Sequence, residues 1–167
     1  MKFELKPISK EAIPEALEKV ERYRLLNEAA QAESICLDVL RIDPDNQHAL
    51  IMLVLALTDQ FGTSGLMLGK AREVLPKLLG EYERAYYSGI VCERLAHSQL
   101  RQASPNSAFS AYESLRQAMD CYEKAEQIRT PGNDDAILRW NTCARILMGN
   151  RNLRPRPDEV PDSVLSE

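Results

Sequence analysis

The stretch from Asn27 to Leu57, NEAAQAESICLDVLRIDPDNQHALIMLVLAL, leaves the chain few folding options. Ala29, Ala32, Ile35, Cys36, Val39, Leu40 and Ile42 recur at spacings of three and four, so they fall on one stripe of a helix with a period of about 3.6 residues. Asn27 is placed to cap its start. Pro44 then stops it, since proline has no backbone N–H to donate and disfavours helical backbone at Asp43. Asp45 or Asn46 can cap the helix that follows. The result is a tight helical hairpin whose second arm, Ala49 to Leu57, is apolar all round and must therefore be buried between neighbours.

The remainder repeats this design. A first helix is expected from about Ile13 to Leu26, with Pro14 in its first turn, after an extended lead over residues 1–8. The hairpin supplies helices over about 27–42 and 47–61, and Gly62 to Gly65 break the pattern. A fourth helix, about Leu66 to Leu79, contains Pro76 and must kink there or end and restart. Long fifth and sixth helices span about Glu81–Gln102 and Ala108–Arg129, the latter with Ser107 as cap. A seventh, to about Met148, is capped by Asn133 or Asp134. Three prolines and mixed charge from Asn150 to Glu167 read as an extended or disordered tail, leaving 1–149 as one helical domain.

Tyr23, Ala32, Cys36, Val39 and Pro44 stand at the offsets of the tetratricopeptide repeat, a two-helix unit of about 34 residues. The chain resembles that family, although Ala16, Lys19 and Val20 stand where the repeat carries Trp, Leu and Gly. Ala71 in the second unit and Ala118 in the third take the place of Ala32, where two helices cross closely. Ala118, Tyr122 and Ala125 repeat the spacing of Ala32, Cys36 and Val39. The resemblance implies an all-α, right-handed superhelix of about three hairpins with the seventh helix as a C-terminal cap. The segment Asn133 to Asn141 also resembles a stretch of small bacterial repeat proteins.

In that family the first helix of each pair lines a concave groove that holds a protein or peptide. Carried onto this chain, the groove would show Arg24, His48, Tyr86, Glu93, Arg94, Asp134, Asn141 and Arg145, with Leu17, Glu21, Ile51, Leu55, Ile90 and Ile137 beside them. Arg24, Arg94 and Arg145 are then candidates for two-pronged contacts to a partner's carboxylates. The same arginines could equally pair with Glu21, Glu93 and Asp134. Leu17, Glu21, Ile51 and Leu55 stand where a two-carboxylate clamp would need Lys and Asn, so that specialisation is not indicated.

Composition narrows the alternatives. A net charge of −4 gives no general attraction to a phosphate backbone, so no nucleic-acid partner is expected. The longest apolar run falls well short of the about 20 residues that a membrane span requires, and the N-terminus has no uninterrupted apolar segment of export type. A cytoplasmic protein is implied. Cys36, Cys92, Cys121 and Cys143 are widely spaced and read as free thiols in helices. With no Gly-rich phosphate loop and no His-Glu metal spacing, neither a cofactor nor a metal is expected. Glu93 and His97, one helical turn apart, are the one acid–base or metal pair worth weighing. The expectation is a non-enzymatic binding scaffold. Its rivals are a homodimer packed through the long helices at Tyr86 or Leu95, and a small-molecule or metal-binding protein.

Overall fold

The structure, a computed structural model, describes residues 3–62, 65–102, 104 and 106–157. Every regular element among them is helical: α1 (Ile13–Leu25), α2 (Ala29–Ile42), α3 (Gln47–Thr58), α4 (Leu66–Val74), α5 (Glu81–Arg101), α6 (Ser107–Gln127) and α7 (Asp135–Gly149). A single 3-10 turn precedes α1 and another, Leu75–Lys77, follows α4. No helix among the described residues is long and apolar enough to cross a membrane.

Local chemistry explains most boundaries. Asn46 caps α3, its side-chain oxygen accepting a hydrogen bond from the Ala49 backbone N–H at 2.9 Å while its amide donates to Asp43 at 3.0 Å. Pro76 ends α4 by forcing the chain into the 3-10 turn, so the expected helix to Leu79 stops at Val74. Two expected caps are corrected. Asn27 sits outside α2 with φ of 59°, turning the chain in the left-handed region that Asn tolerates better than most residues. Ser107 lies inside α6 and donates its hydroxyl to the Ser104 carbonyl. At α7, where Asn133 or Asp134 is expected, Asp134 stands at the cap position and Asn133 accepts from the Asp135 N–H at 3.2 Å. The expected tail lies mostly outside the described residues, but Leu153 is buried against the α6–α7 core and Arg156 reaches Glu113 at 3.4 Å.

Each helix packs on the next within two groups, α1 to α4 and α5 to α7, and α1 touches α3, which touches α5. The core runs through these seams. One cluster joins α1–α5 through Val20, Ala32, Cys36, Leu50, Val54, Leu57, Ala71 and Val91. A second joins α5–α7 through Ile90, Ala96, Leu115, Ala118, Tyr122 and Cys143. A smaller third, Ile13, Leu17, Val39 and Ala49, seals the α1 end. Ala32, Ala71 and Ala118 are all fully buried, as their small side chains at helix crossings require.

α5 and α6 approach closely at Gly89. A Cβ at Gly89 would stand closer than 3.0 Å to three ring carbons of Tyr122. That ring is itself fully buried and cannot withdraw. Gly89→Ala is therefore expected to lower stability by roughly 1–3 kcal/mol in urea unfolding, overpacking outweighing the gain in helix propensity. Gly69→Ala on α4, where a Cβ meets nothing within 4 Å, is expected to raise it by about 1 kcal/mol. A neutral Gly89→Ala would show that the crossing has slack.

Candidate functional site

Alternate helices, α1, α3, α5 and α7, wall a cleft of about 1120 Å³. Their facing side chains are unusually charged: Glu21 and Arg24 from α1, Asp59 just after α3, Glu93, Arg94, His97 and Arg101 from α5, and Arg139 from α7. Leu25, Met52 and Ala29 supply the apolar part of the lining, with Leu25 largely exposed. A smaller, less charged hollow of about 420 Å³ lies on α2–α4, between Leu37, Leu40, Leu53 and Val74.

Glu93 anchors the cleft. Its side chain is only 4% exposed, so its charge must be met by the protein. The Tyr122 hydroxyl donates to Oε2 at 2.6 Å, and Arg139 donates to Oε1 at 3.1 Å. Three helices are thereby tied at one carboxylate. Burial and the Glu93 charge both raise the Tyr122 pKa, keeping the phenol a donor. Burial works against the Arg139 charge, but Glu93 and Tyr86 outweigh it and its pKa is raised.

The second ion-pair system spans the cleft's other side. Arg24 donates to Asp59 Oδ2 at 2.8 Å, while Arg94 approaches Asp59 Oδ1 only to 3.9 Å. Arg101 donates to the Phe61 carbonyl at a long 3.4 Å. Arg94 and Arg101, two helical turns apart on α5, are thus the cleft cations least committed to carboxylates among the described residues. His97 lies between them, its Nε2 3.9 Å from Glu93 Oε1, too far for a hydrogen bond.

Of the residues named from sequence, Arg24, Glu93 and Arg94 line the cleft. His48 lies outside it, 3.4 Å from Glu21. Tyr86 belongs to an aromatic cluster, with ring centroids 5.7 Å from Tyr82, 5.2 Å from Tyr87 and 5.9 Å from Tyr122. Asp134 pairs with Arg129. Asn141 is half-buried and Arg145 exposed, neither among the cleft-lining residues. The Asn133–Asn141 segment divides its work: Trp140 donates to Glu123 at 2.9 Å, and Arg139 reaches Glu93. Leu95 and Tyr86, named for self-association, pack against the chain's own cores. Arg139, from the Asn133–Asn141 segment, lines the cleft, whereas Asp59 and Arg101 carry no signal in the sequence because their position depends on how successive hairpins stack. No group of three or more His, Cys, Asp or Glu among the described residues could hold a metal ion.

Comparison with family models, with curated proteins and with solved structures found no match.

Burial lowers the His97 pKa below its usual 6.5; Glu93 opposes this, while Arg94, Arg101 and Arg139 reinforce it. The unfolded chain then binds a proton before the folded one does, so stability present above pH 6.5 is lost as pH falls through the folded value. His97→Gln is expected to flatten the fall in urea midpoint between pH 7.5 and 5.5 relative to wild type. An identical slope in both proteins would mean that His97 titrates as in the unfolded chain.

Proposed function

We propose that this chain is a non-enzymatic scaffold, a tetratricopeptide-like right-handed superhelix of three hairpins capped by α7, whose cleft holds an acidic peptide or protein segment. The repeat architecture is supported by the alternation of helices: the cleft lining comes from α1, α3, α5 and α7 and the residues just after α1 and α3, with Ala29 alone from α2. Fully buried alanines at the three crossings fit the same scheme.

The observation that carries the ligand class is the charge of the cleft. The chain as a whole is at −4, yet the cleft lining gathers four arginines against three carboxylates. Two of those carboxylates, Asp59 and Glu93, are already engaged by Arg24 and Arg139. Arg94 and Arg101 are left to meet a carboxylate from outside, and a cleft with low-dielectric walls focuses their field. The adjoining Leu25 and Met52 offer an apolar anchor point. A binding role in a reducing, cytoplasmic compartment is in keeping with four free cysteines.

Selection of a random peptide library on the immobilised chain tests this reading. Enriched sequences are expected to carry Asp or Glu beside an apolar residue, and the best of them to bind at least about tenfold more weakly to Arg94→Glu with Arg101→Glu. Arg145→Glu, outside the cleft lining, is expected to bind them as wild type does. Enrichment of basic or charge-free peptides, or equal loss with Arg145→Glu, would overturn it.

A further inference from the structure

Apart from the cleft, the α5–α6 seam carries a pair of thiols whose juxtaposition the packing dictates. The Ser114 hydroxyl donates to Gln99 Oε1 at 2.9 Å, which fixes one level of the two helices. Farther along, Glu93 meets Tyr122, so the numbering falls on α5 as it rises on α6 and the helices run antiparallel. Cys92 lies seven residues before Gln99, and Cys121 seven residues after Ser114. Two full turns return each helix to nearly the same face, so Cys92 and Cys121 come level with each other on the seam that Gln99 and Ser114 already share. Their separation is held small because Gly89, one turn before Glu93, lets α6 approach until the Tyr122 ring touches the α5 backbone.

We propose that Cys92 and Cys121 form a redox-modification site, closing to an intramolecular disulfide between α5 and α6 when a hydroperoxide acts on the folded chain. Both thiols are partly exposed, whereas Cys36 and Cys143 are buried. Electrostatics divides the roles. Hydrogen bonding from Cys92 brings the Cys121 pKa down to about 7, with Lys124 assisting and burial and Asp120 opposing. Cys92 is held as the protonated partner by the same bond and by burial. Burial pushes Cys36 and Cys143 up to about 12, which keeps them as unreactive thiols near neutral pH.

The chemistry balances in two steps. The Cys121 thiolate attacks the distal oxygen of the hydroperoxide, the O–O bond breaks, and the leaving oxygen takes a proton to become water or an alcohol. The resulting sulfenic acid is then attacked at sulfur by Cys92. Its S–O bond breaks, and hydroxide departs with the Cys92 proton as a molecule of water. Two thiols have lost two electrons to one peroxide.

Treatment of the reduced full chain with hydrogen peroxide, followed by alkylation and peptide mapping without reductant, tests the site. The expected product is a monomer lighter by two hydrogen atoms, with one Cys92–Cys121 linked peptide that dithiothreitol reopens, and with Cys36 and Cys143 alkylated only after denaturation. In Cys92→Ser, dimedone is expected to trap Cys121 as its sulfenic acid. Absence of the linked peptide from oxidised wild type, or links that instead join two chains or involve Cys36 or Cys143, would overturn the assignment.

Discussion

A buried carboxylate has few ways to survive inside a protein, and Glu93 has taken one that organises three helices. Desolvating an acid costs several kcal/mol unless its oxygens are met by donors. Here one oxygen is met by Tyr122 from α6 and the other by Arg139 from α7. Both donors come from outside α5, so the ion can be satisfied only when α5, α6 and α7 are correctly stacked. A slip of α6 by one turn would bring Tyr122 away from Glu93 and its ring away from Gly89 together. Such a requirement adds specificity to an arrangement that apolar packing alone would fix more loosely.

The same node places the charges of the cleft. Because Arg139 is spent on Glu93 and Arg24 on Asp59, the surplus positive charge is left on α5, at Arg94 and Arg101. Glu93 and Arg94 are neighbours in sequence but serve different ends, one facing into the helix junction and the other reaching toward the open cleft. Guanidinium groups held this loosely within the described residues are what the proposed binding of an anionic segment would draw on.

Much of the framework was legible from the chain. The spacing of Ala32, Cys36 and Val39, and again of Ala118, Tyr122 and Ala125, marked residues that are all fully buried. Pro44, Asn46 and Pro76 acted through local backbone chemistry, which a sequence displays directly. The caps near Asn27 and Ser107 were not legible because several adjacent polar residues could each play the part, and small differences in backbone angle decide among them. The site was less legible. Arg24 with Asp59, and Arg139 with Glu93, join residues distant in sequence, and the meeting of Cys92 with Cys121 follows only once the antiparallel register is known. Those pairings are set by how hairpins stack, which periodicity within a single helix does not encode.

The central claim, that Glu93 binds α5, α6 and α7 into one unit, is tested most directly by a double-mutant cycle on urea stability using Glu93→Gln, Arg139→Met and the two together. Direct pairing inside the junction predicts a coupling of at least about 1 kcal/mol, with Arg139→Met far more damaging when Glu93 is still charged than when it has been made neutral. Additive losses in the double variant would contradict the account and would make Glu93 a bystander in the stacking of these helices.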